Sequence, residues 1–199
     1  MEVYNFEQKS KEWFDIRKGK MTASHAQAIG NNGKGLETYI LEMMAEFYSS
    51  GEKEIYTNAD MERGIELEEQ ARAIYEIETS NKVEQVGFCK YDEFSGCSPD
   101  GLIGEDGGIE IKCQKDNTHF KMILNGEKEI DSKYLWQIQM NLLITDRKWW
   151  DYVSYNPNFS KSLIIFRIEP DEEMQKKILD GIKKGKNKIK EINETLLHT

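Results

Sequence analysis

Three residues in the middle of the chain, Asp100, Glu110 and Lys112, have types and spacing suited to phosphodiester chemistry. Side chains two apart on a strand share a face. Glu110 and Lys112 therefore point the same way, roughly 6.5–7 Å apart along the backbone. Ile109, Ile111 and Cys113 take the opposite face and can anchor the strand in a core. If Asp100 lies on the preceding strand of a hairpin, its carboxylate can meet that of Glu110. Two carboxylates converging on one point suit Mg²⁺, a hard cation that takes oxygen ligands and keeps several waters. An adjacent ammonium can orient or help deprotonate the attacking water and offset charge building on a phosphate. That is the equipment for metal-assisted in-line hydrolysis. An acid-x-Lys triplet alone says little: it also occurs at Glu7/Lys9, Asp131/Lys133 and Asp146/Lys148, where an exposed charged pair is the ordinary meaning. The weight lies in the combination of a Pro-Asp-Gly turn, a short Gly-rich connection and a Glu-x-Lys flanked by apolar residues.

The elements that must position these residues are legible from periodicity. Val83–Tyr91 and Gly96–Ile103 read as strands, with a turn at 105–108 before Ile109–Cys113, a hairpin signal. Trp149–Tyr155 and Ser162–Ile168 read as two more, joined by a turn at 156–158. Helical spacing marks Leu36–Tyr48 and Lys133–Ile144. Asn58–Thr79 reads as one long helix, and the eight acids against three bases in 60–84 suit a solvated face. Thr22 or Ser24 can cap a helix running to Ile29. Residues 31–35 form a loop and 49–53 break the helix before them. Trp13, Phe14 and Ile16 are docking residues in a polar, aromatic N-terminus. From Asp171 a helix weakened by Gly181 and Gly185 carries Ile178, Ile182, Ile189 and Ile192 on its apolar side. The order predicts a mixed α/β fold with helices on a small central mixed sheet. It forms one domain over 1–199, with an N-terminal helical segment to about 57, a core over 58–170 and a C-terminal helix over 171–199.

Composition bounds the function. The chain has 199 residues, 38% hydrophobic and 11% aromatic, enough for a single packed core. Its 36 acidic residues against 27 Lys and Arg give a formal charge of −9. A simple basic nucleic-acid coat is excluded; an enzyme that grips nucleic acid locally and holds metal with carboxylates is not. Cys89, Cys97 and Cys113 cannot all pair, and with His25, His119 and His198 they make no zinc spacing. A reduced, cytosolic protein fits. No apolar run approaches the roughly 20 residues of a membrane helix, and Met1–Ser10 is no secretory signal.

Ser98-Pro-Asp-Gly-Leu followed by Gly108-Ile-Glu-Ile-Lys-Cys113 resembles the signature of the PD-(D/E)xK nucleases, and more narrowly of the phage lambda-type exonucleases and YqaJ-like viral recombinases. Three further blocks resemble that family in order: Trp13-x₃-Arg17-x-Gly19 with Thr22-Ala-Ser24, Gly64-x₃-Glu68-x₂-Ala71-Arg72, and Tyr134-x₂-Gln137-x-Gln139. The resemblance implies a restriction-endonuclease-like core and a 5′→3′ exodeoxyribonuclease. Such an enzyme digests one strand of linear duplex DNA and leaves a 3′ single-stranded tail for recombination.

It also implies roles. Asp100, Glu110, the Ile111 carbonyl and Glu68 would hold Mg²⁺, with Mn²⁺ a substitute. Lys112 would act on the attacking water, and Gln137 on that water or a phosphate oxygen. Glu68 must then turn inward while Glu66 and Glu69 face solvent. Gln139, about 200° further round the helix, falls outside the site. Arg17 and Ser24 would bind the 5′-phosphate of the duplex end; the alternatives are an ion pair of Arg17 with Asp15 or Glu12 and a simple cap at Ser24. Trp13, Phe14, Trp149 and Trp150 are expected to pack, His25 and His119 to be structural or exposed. The Lys cluster 183, 184, 186, 188 and 190 either faces DNA or lies free. By the same resemblance the protein is phage- or prophage-encoded, works in the bacterial cytoplasm as a homotrimeric ring, and partners a single-strand annealing protein. A PD-(D/E)xK endonuclease, a repair nuclease of other polarity, or a silent DNA-binding module on the same fold are the competing readings.

Overall fold

Two sheets hold the central segment, one on each side of Pro99. The structure, a computed structural model, describes residues 1–50 and 59–197. In chain order the described elements begin with β1 (Glu2–Tyr4), α1 (Lys11–Arg17), β2 (Met21–Thr22), a 3₁₀ turn at Ala23–His25 leading into α2 (Ala26–Asn31), and α3 (Lys34–Tyr48). Next come α4 (Ala59–Thr79), β3 (Val83–Glu84), β4 (Phe88–Lys90), β5 (Ser95–Cys97), β6 (Gly101–Ile103) and β7 (Gly107–Cys113). The chain continues through α5 (Asp116–Asn125), a 3₁₀ turn at Gly126–Glu129, α6 (Ser132–Thr145), β8 (Trp149–Tyr155), β9 (Leu163–Ile168) and α7 (Glu172–Leu197). The expected division near residue 57 lies outside the described residues.

The larger sheet runs β3-β6-β7-β8-β9. β6 and β7 form the expected hairpin. β7 and β8 are parallel, in register from Gly107↔Trp149 to Cys113↔Tyr155, so the chain between them must cross over. α5 and α6 make that crossover. Strand alternation sorts the two faces. Trp150 and Tyr152 pack with Ile138 and Met140 of α6, while Val153 and Tyr155 join Ile109, Ile111, Ala71 and Tyr75 on the α4 side. Ile109, Ile111 and Cys113 thus anchor β7 as their spacing predicts.

Three expectations change. A second sheet, β1-β4-β5-β2, exists beside the first. The strands expected over Val83–Tyr91 and Gly96–Ile103 are each split between the two sheets. At Ser98-Pro99-Asp100 the split has a direct cause: Pro99 has no N–H to give a ladder, and the chain leaves one sheet there and enters the other. Thr22 occupies the cap position of the 3₁₀ turn without a side-chain cap hydrogen bond. Its N–H instead donates to Tyr39 Oη at 3.0 Å.

α7 runs unbroken through Gly181 and Gly185. A methyl group on Gly181 would land on the Ile29 carbonyl of α2, and one on Gly185 on Met21. The glycines that lower helix propensity locally are the points where α7 closes on its neighbours, Gly181 on α2 and Gly185 on β2 and Ile40 of α3. Gly181→Val should therefore cost about 1–3 kcal/mol through overpacking, read as a lower urea midpoint. A midpoint equal to wild type would mean that this approach carries no packing.

Candidate active site

The hairpin register brings the two carboxylates together. Gly101 pairs with Ile109, so Asp100, one residue beyond β6, stands opposite Glu110. Asp100 Oδ2 accepts the Ile111 N–H at 2.7 Å, ending the ladder where β6 stops. Glu110 is fully buried. Its Oε1 accepts from Lys112 Nζ and, at 2.7 Å, from Gln137 Nε2; its Oε2 accepts from Asn141 Nδ2 at 3.4 Å. Gln137 and Asn141 are four apart on α6 and so share a face. The Lys112 ammonium also lies 4.9 Å from the Tyr134 ring centre. Glu68 of α4 is half-buried and paired with Arg72 at 3.0 Å, while Glu66 and Glu69 are exposed, the register the sequence required. An open cleft of about 870 Å³ runs between residues 5–10, α4 and Asp100.

The site is electrostatically loaded. Burial and then the Asp100 carboxylate push the Glu110 pKa up to about 7, against the pull of Lys112. Burial and Asp100 also raise Glu68, with Arg72, Lys9 and Lys112 opposing. Burial works to lower Lys112, but Glu110 and Asp100 outweigh it and hold the ammonium above the ordinary lysine value. Asn141 Oδ1, buried beside Glu110, has no hydrogen-bond partner among the described residues. Those residues contain no group of three acid, His or Cys side chains closed into a cage. Mg²⁺ does not need one, since it commonly takes one or two carboxylates and keeps its waters. Crowded carboxylates and an unsatisfied acceptor suited to an ordered water fit such an ion.

A second pocket lies beyond Pro99. Ser98 Oγ accepts from both Arg17 Nη1 and Trp13 Nε1, each at 2.9 Å. The Arg17 guanidinium lies 4.1 Å over the Trp13 ring. Ser10 caps α1 by accepting the Trp13 N–H at 3.2 Å, which sets that helix in place. Asp15 pairs with Lys18 at 2.7 Å rather than with Arg17. Burial lowers the Arg17 pKa, yet a guanidinium stays charged at neutral pH. Arg17, Thr22, His25 and Tyr39 line a cavity of about 330 Å³. Ser24 is exposed beside it, its Oγ 3.2 Å from both Thr22 Oγ1 and His25 Nδ1.

A YqaJ-like viral recombinase domain profile matches residues 12–148. The chain belongs to the YqaJ-like viral recombinase family. An alkaline exonuclease from Laribacter hongkongensis, LHK-Exo, is 31% identical with a TM-score of 0.80, covering 95% of this chain and 99% of that one. The structure of LHK-Exo in complex with dAMP is 33% identical, TM-score 0.84, over 94% and 96% of the two chains. A phage-related exonuclease from Haemophilus somnus, 17% identical over 89% and 96%, shares the fold with a TM-score of 0.67. No curated protein matches. The fold is that of the PD-(D/E)xK nucleases.

In this YqaJ-like chain, sequence reasoning missed Ser98 and Asn141. It placed Trp13 among packing residues, whereas Trp13 also holds Ser98 and Arg17. The only available signal for Ser98 was its place two residues before Asp100. Gln139 does turn away: it holds the Glu169 carbonyl and the Asp171 N–H, each at 2.8 Å, at the entry to α7. His119 is buried between Ser154 Oγ and the Lys161 carbonyl, each at 2.8 Å. Of the C-terminal lysines, Lys186 pairs with Asp92 at 2.5 Å and Lys188 with Glu191 at 3.1 Å. Because Asp100 helps raise Glu110, Asp100→Asn in metal-free protein should bring the Glu110 titration below about 7. Carboxyl ¹³C NMR measures this, and an unmoved midpoint would remove Asp100 as a cause.

Proposed function

We propose that this chain is a metal-dependent 5′→3′ exodeoxyribonuclease that resects linear duplex DNA and leaves 3′ single-stranded tails for recombination. A nuclease role has the support of the family and of LHK-Exo, an exonuclease crystallised with dAMP. The observation that carries the finer reading is the joint Ser98-Pro99-Asp100. It links an Arg17 pocket suited to a terminal phosphate to the buried Glu110–Lys112 pair opposite Asp100.

Asp100, Glu110, Glu68 and the Ile111 carbonyl would hold Mg²⁺ or Mn²⁺. The ion, when bound, supplies positive charge at the scissile phosphate and lowers the pKa of water. The chain's own groups do the positioning. Lys112, held protonated by its carboxylate neighbours, donates to the attacking water and offsets charge on the phosphate. Gln137 keeps the Glu110 carboxylate turned toward the strand, and its amide lies within reach of the same water. Arg17 grips the terminal phosphate with its planar fork, with Ser98 fixing its direction and Ser24 adding a hydroxyl. The same reading makes 1–199 a single nuclease domain, cytoplasmic in a bacterial host and partnered with a single-strand annealing protein. A homotrimeric ring would suit a chain of charge −9, because enclosure can keep it on DNA without strong overall attraction.

A gel time course with Mg²⁺ tests the activity. Linear duplex carrying a 5′-phosphate and a 3′ label should shorten from its 5′ ends while closed circular duplex survives, and Lys112→Ala should lose at least about 10²-fold in rate. Cutting of the circle, or wild-type turnover by Lys112→Ala, overturns the reading. The metal has its own test. Glu110 and Glu68 titrate above their ordinary range in the folded protein. Their ionisation therefore costs metal-free protein stability as pH rises through the ordinary carboxylate range toward about 7. Mg²⁺ should raise Tm markedly at pH about 8 and little at pH about 5. No shift at the higher pH would remove the carboxylates as its ligands.

A further inference from the structure

We propose that His25 is a positioning residue that makes recognition of a terminal phosphate proton-dependent, acting through the hydroxyl of Ser24. The inference rests on the reading of the Arg17 pocket as the end-phosphate site. The imidazole lies flat on the Tyr39 ring, with centroids 4.0 Å apart and planes 9° from parallel. Tyr39 is pinned in turn: its Oη accepts the Thr22 N–H at 3.0 Å and donates to the Lys20 carbonyl at 3.4 Å. The ring plane of His25 is thereby set by a buried phenol, and Nδ1 is held 3.2 Å from Ser24 Oγ.

Charges of both signs surround His25, with cations in slight excess. Arg17 of α1 and Lys18 and Lys20 after it are cationic. Glu42 and Glu46 of α3, beside Tyr39, are the acidic groups on the other wall. Burial, then Arg17, hold the imidazole below its ordinary pKa, with Glu42 opposing. His25 is therefore neutral near pH 7. A neutral ring that accepts at Nδ1 engages the Ser24 hydroxyl proton, so Ser24 Oγ offers only lone pairs to an anion. A terminal phosphate ester carries nearly two negative charges above its second pKa of about 6, which reverses the balance. Imidazolium donates from both nitrogens. Its Nδ1–H then donates to Ser24 Oγ, and the Ser24 proton is released to the phosphate. Binding takes up one proton, so affinity for a phosphorylated end rises as pH falls between the bound and free midpoints.

The experiment is imidazole NMR on the full metal-free chain, whose three histidines make the spectrum readable, with blunt duplex carrying a 5′-phosphoryl or a 5′-hydroxyl end. The His25 midpoint should rise by about one unit with the phosphoryl end and stay put with the hydroxyl end. That shift corresponds to a roughly tenfold growth in phosphoryl-over-hydroxyl binding preference as pH falls. His25→Asn, whose amide keeps a permanent donor toward Ser24, should retain a preference but lose its pH dependence. An unmoved His25 midpoint, or an Asn variant that follows the wild-type curve, overturns the inference. Arg17→Ala separates the two levels. If it abolishes the preference while the wild-type His25 midpoint stays fixed, the pocket stands and His25 has no part in it. If it keeps the full preference, the pocket reading itself fails, and the inference with it.

Discussion

A carboxylate with no exposed surface, Glu110, is the constraint around which the rest of the site is arranged. An uncompensated buried anion costs several kcal/mol. The surrounding sequence acts on that cost from three directions. Lys112 comes from the same face of the same strand, Gln137 and Asn141 from one face of α6, and the hairpin register sets Asp100 opposite. Two of these are donors that relieve the charge; the third is a second carboxylate that aggravates it. Asp100 satisfies the Ile111 N–H, but a neutral acceptor would do the same without adding a second charge. Its presence sets two carboxylates against each other, and Asp100 raises the pKa of Glu110.

The crossover between β7 and β8 follows from the same requirement. α6 must lie over the sheet at a depth where Gln137 reaches Glu110. Parallel pairing of β7 with β8 leaves room for α5 and α6 to make that passage. Gln139, on another side of the same helix, ties the start of α7 to the core through the Glu169 carbonyl and the Asp171 N–H. One helix therefore serves the buried Glu110 with one face and the C-terminal helix with another.

Much of this was readable in the amino-acid sequence because it depends on short-range alternation. β7, β8 and β9 and the face-sharing of Glu110 and Lys112 follow from a period of two residues, whereas the inward turn of Glu68 was implied by the family resemblance. What was not readable depends on tertiary partners. α5 went unseen because it buries His119 and Met122 while leaving Phe120 and Leu124 exposed, a pattern with no clean stripe. The break at Ser98-Pro99-Asp100 was hidden because both flanking tripeptides are good strands that belong to different sheets. Gly181 and Gly185 read as local weaknesses, and only the positions of α2, β2 and α3 show them to be contacts. Ser98 could not be recognised until Trp13 and Arg17 were seen to converge on it from 85 and 81 residues away.

That joint has a mechanical consequence. Ser98 and Asp100 are separated by a single proline, so their Cα atoms can never stand more than about 7 Å apart, and Pro99 fixes its own φ. The gap between the place where a strand end would be gripped and the place where a bond would be broken is thus set by covalent geometry. The cleft can widen without altering the spacing of Ser98 and Asp100, while Arg17 on α1 follows it only through its hydrogen bond to Ser98. A chain built this way writes the spacing of Ser98 and Asp100 into its backbone rather than into its packing.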